Sequence, residues 1–186
     1  MINARSKTES LSREALLIVG ASFFIALGAQ FKFYLPFSPV PVTAQTLAVL
    51  LTGALLGPVR GTGAVLLYLL EGSMGLPVFA GGQGGMASLI GPTGGYLLGF
   101  VASAYVTGLL IQRGWDRNVG TTFAALALGN VVIYVFGLLG LMIFVGRESV
   151  LALGLWPFIP GDLFKLACAT LALSAGHRAI HTHPEQ

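Results

Sequence analysis

Asp162 and Lys165 stand three residues apart at the head of an apolar run that carries no other charge until Arg178. On a helix that spacing sets a carboxylate and an ammonium side by side on one face. Ionisable groups at membrane depth are costly and usually face a cavity, a partner or a pathway, so the pair reads as a donor and acceptor for a small polar ligand. The competing reading is architectural, with Asp162 as the N-cap of a helix and Lys165 snorkelling to the interface. Asn130 and Tyr134, four apart, either aim an amide and a phenol into a cavity or bind two helices together. Thr43, Gln45 and Thr46 open another apolar segment, where capping explains them as well as ligand contact does. Gln83 and Ser88 fall in a glycine-rich stretch and read either as ligand contacts or as ordinary loop residues.

The elements that must carry these residues are set by composition. Only 17 of the 186 residues are charged and 55% are hydrophobic, against roughly 25% charged in a soluble domain. Between Ala15 and Gln112 the only charges are Lys32, Arg60 and Glu71. Too few polar groups remain to cover a surface in water, so the solvent is lipid. A span needs about 20 mostly apolar residues. Candidates run over 15–31, 42–57, 61–70, 94–112, 119–145 and 163–176, the last beginning as early as Pro160. The first could instead be a signal peptide cleaved near Ala26-Leu27-Gly28. The third is short, and charge decides whether it crosses. With six crossings and the N-terminus inside, Arg5, Lys7, Arg13, Arg60, Arg113, Arg117 and Arg178 are cytoplasmic, and Lys32 and Arg147 lie outside. Leaving the third segment uncrossed destroys that bias. The expectation is an all-α, multi-pass bundle of six transmembrane helices: one membrane domain over 1–186, with cytoplasmic tails 1–14 and 177–186.

Two stretches resist a helical reading. Residues 72–95 hold nine glycines and two prolines with no charge. Irregular backbone at membrane depth needs protein or a water-filled cavity to satisfy it, so this stretch is expected to be an extracellular-side loop covering a ligand cavity, the alternative being a flexible connector. The prolines Pro36, Pro39 and Pro41 stiffen a second loop on the same face. Ser22 and Ala26 give helix one a small-xxx-small pair whose partner is another helix of this chain or another protein.

Several function classes are excluded or unsupported. No lysine follows a phosphate-binding glycine pattern. No metal set forms, since His177, His181 and His183 lie in the tail, and Cys168 alone makes neither a disulfide nor a paired-cysteine site. Neither a metal nor a cofactor is expected. Nothing resembles a nucleic-acid surface, and no nucleophile set supports an enzyme.

Four blocks in order, SPVPVTAQTL at 38–47, GLPVFAGG at 75–82, GPTGGYL at 91–97 and PFIPGDLFK at 157–165, resemble the BioY family, the biotin-specific substrate-binding subunits of energy-coupling factor transporters. The resemblance covers about residues 15–176. It implies six helices, a biotin site near the outer face, a prokaryotic plasma membrane, and work with a membrane coupling subunit and two cytoplasmic ATPases. Asp162 and Lys165 match the family's polar ligand pair. The glycine-rich loop, with Gly81, Gly82, Gln83, Thr93 and Gly94, and the first loop, with Thr43, match its cover. Some members use an asparagine in the first glycine block and an arginine before Thr-Gly-Gly, where this chain has Gln83 and Pro92. Biotin offers two ureido N–H donors, one carbonyl acceptor, an apolar bicycle and a carboxylate. Asp162 can accept from the ureido, Lys165 can donate to an oxygen, and Phe79 and Tyr96 can pack the bicycle, with Asn130 and Tyr134 as further polar contacts. A self-sufficient, oligomeric vitamin carrier without an ATPase stays open as the other reading.

Overall fold

The computed structural model describes the backbone of residues 2–181 and the side chains of residues 10–175. Arg5, Lys7, Arg178, His177, His181 and His183, expected in the tails, lie outside the described side chains. Helix α1 spans Ile2–Gln30, so the backbone of the expected N-terminal tail continues the first helix. A two-residue antiparallel pair, β1 (Lys32–Phe33) with β2 (Val42–Thr43), closes the proline-rich loop, with Lys32 opposite Thr43 and Phe33 opposite Val42. Then come α2 (Gln45–Ser73), the short α3 (Met86–Ile90), α4 (Gly94–Leu110) ending in a π turn Ile111–Trp115, α5 (Val119–Gly154) and α6 (Ile159–His181).

Helix α2 is a hairpin. Gly57 sits at φ 77°, ψ 178°, a left-handed conformation open to glycine, and Pro58 starts the return. Gln45 and Tyr68 are bonded at 2.9 Å, whereas 23 residues of straight helix would part them by about 34 Å. The limbs 45–56 and 58–73 thus supply two of six long helices among the described residues, the others being α1, α4, the first limb of α5 and α6. The second limb reaches Ser73, past the expected end at Leu70, because Glu71 does not break it. Its carboxylate accepts from the buried Ser22 hydroxyl of α1 at 2.6 Å. That bond also places the Ser22 and Ala26 face against this chain's own helix. Ile25, Ala26 and Ala29 are buried beside them, so the first helix belongs to the core.

Helix α5 folds back in the same way. Its first limb covers 119–145 as expected, Gly146 (φ 77°) turns the chain, and 147–154 returns. The Ser38 hydroxyl, from the proline-rich loop, donates to the Leu153 carbonyl at 2.7 Å and pins that loop to the returning limb. The surface is what lipid requires: Val59 and Ile143 are 79% and 82% exposed while Ser103, Thr107 and Thr122 are wholly buried. Four helices, Ser10–Gln30, Gln45–Ser73, Gly94–Trp115 and Val119–Gly154, are long and apolar enough to cross a membrane.

Cations segregate by end. Arg60 forms an ion pair with Glu14 beside the Gly57 turn, and a Cβ on Gly108 would touch that turn, which puts the α4 end with Arg113 and Arg117 there too. Lys32 and Arg147 belong to the opposite end, where α4 and α6 begin.

Candidate ligand-binding site

Helix α6 starts at Ile159, with Pro160 in its first turn where a missing N–H is no loss. Asp162 therefore sits one turn inside and does not cap the helix, which removes the N-cap reading. Its side chain turns instead toward α5, which brings up Asn130 and Tyr134. Asn130 Nδ2 donates to Asp162 Oδ2 at 3.1 Å, and the Tyr134 hydroxyl donates to the same oxygen at 2.5 Å. Lys165 Nζ donates to Oδ1 at 2.9 Å, to the Thr43 carbonyl at 2.7 Å and, more loosely, to Thr46 Oγ1 at 3.4 Å. Lys165 is thus held by β2 and the start of α2 and does not snorkel. The four residues proposed from spacing alone form one network joining α2, α5 and α6. Its ion pair is internally neutral, and each charge carries the further bonds that make burial tolerable. Asp162 is 6% exposed.

The network opens on a cavity of about 480 Å³, within the size range of small-molecule sites. Its apolar wall is built from Phe79, Tyr96, Phe100, Ile133 and Phe158. Phe79 comes from the glycine-rich stretch and is seated on Gly72, where an added Cβ would lie 2.1 Å from its ring. It meets Tyr68 edge-on at 5.4 Å. Burying that ring is worth about 2 kcal/mol and fixes the loop. The Tyr96 ring faces the cavity, while its hydroxyl donates to the Gly154 carbonyl at 2.8 Å, tying α4 to the returning limb of α5.

Residues 3–182 match the model of the BioY family. The chain belongs to the BioY family. It is 42% identical to a biotin transporter BioY of Rhizobium etli, covering 81% of this chain and 85% of that one. It is 40% identical to the biotin transporter BioY of Thermotoga maritima over 84% and 86%. Among solved structures it superimposes on the S-component for biotin from an ECF-type ABC transporter with a TM-score of 0.80 and 26% identity, covering 94% and 93% of the two chains. A membrane transporter family of prokaryotes is thus the setting for the network and the cavity, and the family is not one of enzymes.

Of the residues singled out from sequence for a BioY-like site, Asp162, Lys165, Asn130, Tyr134, Tyr96, Thr43, Gln83 and Thr93 line the cavity. Gly81, Gly82 and Gly94 do not. A Cβ on Gly81 would strike Lys32 Nζ at 2.3 Å, and one on Gly94 would strike the Leu89 carbonyl at 1.9 Å. Those two glycines allow close packing behind the wall, and Gly84 and Gly91 border the space instead. Residues 86–90, between Gly85 and Gly91, are helical despite their setting because no glycine or proline interrupts them. Pro92 lines the cavity and supplies no charge there. Thr43 contributes its carbonyl to Lys165, and its hydroxyl accepts from the Gln45 N–H at 3.2 Å. Gln45 and Thr46, which the sequence leaves open as caps or as ligand contacts, are lining residues. The signal was present in their adjacency to Thr43, but a helix start explains polar residues too easily.

Proposed function

We propose that this chain is the biotin-binding membrane subunit of an energy-coupling factor uptake system, a transporter component rather than an enzyme. The observation that carries this reading is the Asp162, Lys165, Asn130 and Tyr134 network opening into an aromatic-walled cavity. Asp162 accepts a ureido N–H of biotin, and Lys165 yields its longest bond, the 3.4 Å contact to Thr46, to a ligand oxygen. Phe79, Tyr96, Phe100 and Phe158 pack the bicycle. Hydrogen bonds to charged groups contribute roughly 1.5–3 kcal/mol each. A few of them with apolar burial reach the about −12 kcal/mol of nanomolar binding.

In this reading the whole chain is one membrane domain, both termini are cytoplasmic, and the cavity opens outward. The segregation of Arg60, Arg113 and Arg117 from Lys32 and Arg147 supports that orientation. The glycine-rich loop, with Gln83 and Thr93, and the proline-rich loop cover the site. The partners are a membrane coupling subunit and two cytoplasmic ATPases, which supply the energy. Calorimetric titration of the detergent-purified chain with biotin, with riboflavin and thiamine as controls, tests the ligand. Saturable binding of biotin alone is expected, and none would refute the reading. Uptake of labelled biotin into liposomes holding this chain by itself would instead make it a self-sufficient carrier.

A further inference from the structure

The network around Asp162 is nearly saturated. A carboxylate has about four lone-pair sites; Asn130 and Tyr134 fill those of Oδ2, and Lys165 takes one on Oδ1. One acceptor position is left. A cyclic urea carries two N–H donors that diverge on either side of its carbonyl, so the second cannot be met from the same wall. The Asn130 amide does not solve this, since it lies 3.1 Å from Asp162 and shares its flank.

A different wall holds an acceptor of fixed polarity. Gln45, at the start of α2, is 3% exposed and lines the cavity. Its Nε2 donates to the Tyr68 hydroxyl at 2.9 Å, and that hydroxyl donates to the Val78 carbonyl at 3.2 Å. A carbonyl can only accept, so Tyr68 must give its proton to Val78. Its oxygen must then receive one from Gln45. The chain of donors leaves the amide one orientation, with Nε2 turned to Tyr68 and Oε1 accepting no hydrogen bond among the described residues. We infer that Gln45 Oε1 is the acceptor for the second ureido N–H of the ligand, and that Tyr68 is a positioning residue that orients this amide. Because Val78 precedes Phe79, the same relay ties ligand recognition to the loop that seats the aromatic wall. Gln30 Nε2 reaches both the Val78 and Phe79 carbonyls at 3.4 Å and braces that segment from α1.

This inference rests on the biotin reading, and the test separates the two. The purified full-length chain and its Gln45→Met and Tyr68→Phe variants are titrated with biotin, with desthiobiotin, which keeps both ureido N–H groups, and with the two mono-N-methyl ureido biotins. For Gln45→Met, affinity for biotin and desthiobiotin falls about tenfold. The loss shrinks below twofold with one N-methyl isomer and persists with the other. Tyr68→Phe frees the amide to turn over and lowers biotin affinity about threefold, with the same dependence on isomer; it carries the test if Gln45→Met fails to fold. Equal biotin affinity in parent and Gln45→Met, or equal losses with both N-methyl isomers, overturns the inference and leaves the biotin reading standing. A parent chain that binds no biotin removes both.

Discussion

Toward the Gly57 turn α2, α4 and α5 all pack closely, whereas at the end where α6 begins only α4 and α5 keep backbone contact, at Gly95 and Gly140, and the other helices part around a cavity of about 480 Å³. In the packed half, a Cβ on Gly53 would lie 2.5 Å from the Ala104 carbonyl oxygen, and one on Gly129 would lie 2.0 Å from Thr107 Oγ1. Polar groups are treated differently as well. Around the cavity, Asp162, Lys165, Tyr134 and the Tyr96 hydroxyl all have partners. In the packed half, the buried hydroxyls of Thr52, Ser103 and Thr107 have none. One half holds the helices in direct contact, and so lets the other hold a space open.

The contrast is broken most severely at Gly53. Gly53→Val forces α2 and α4 apart, because the atoms it meets belong to Ala104 backbone that cannot swing aside. A loss of about 3 kcal/mol or more is expected, read as a collapsed melting temperature in detergent. Gly82→Ala serves as control: its added Cβ meets nothing within 4 Å, and only the left-handed backbone (φ 70°) penalises it, by about 1 kcal/mol. A Gly53→Val protein that melts like the parent would show that the seam is not where the fold is held.

Asp162→Asn keeps the shape of the side chain and removes its charge. Biotin affinity should fall about thirtyfold, near 2 kcal/mol, in a calorimetric titration. Melting should fall as well, by about 1–3 kcal/mol, because the largely buried Lys165 loses its counter-charge and keeps only the Thr43 carbonyl. Unchanged affinity would remove Asp162 from the site. Tyr96→Phe separates the two effects. The hydroxyl it deletes is bonded to Gly154 rather than turned to the cavity, so stability falls by about 1 kcal/mol while affinity stays within twofold. A larger drop in affinity would mean that the returning limb of α5 shapes the cavity.

The cavity half was the more legible of the two, for a physical reason. Charge is rare in this chain, so Asp162 and Lys165 stand out, and helical spacing was enough to pair Asn130 with Tyr134. Six segments followed from length and charge, and the break at Gly57-Pro58 was marked by its proline. The end of the fifth span at Val145 was marked by the charges that follow Gly146; what carried no mark was the return of residues 147–154 as a short helical limb. Nor could composition tell Gly84 and Gly91, which border the cavity, from Gly81, Gly82 and Gly94, which do not. That difference lies in what stands beyond the missing Cβ. Gln45 was hidden by its position, because a polar residue at a helix start has a sufficient local explanation.

The smallest effect is the sharpest test of the packed half. Ser103 is fully buried on α4, facing Gly129 of α5, and its hydroxyl makes no hydrogen bond within the chain. An unpartnered hydroxyl contributes desolvation cost without return. Ser103→Ala should therefore leave the melting temperature unchanged or raise it slightly, by up to about 1 kcal/mol, with biotin affinity untouched. The same deletion at Tyr134, whose hydroxyl bonds Asp162 at 2.5 Å, should lower affinity several-fold. If Ser103→Ala instead destabilised by more than about 1 kcal/mol, its hydroxyl would have to be bonded in the membrane-embedded protein. The two halves would then satisfy their polar groups by the same rule, leaving only backbone proximity to distinguish them.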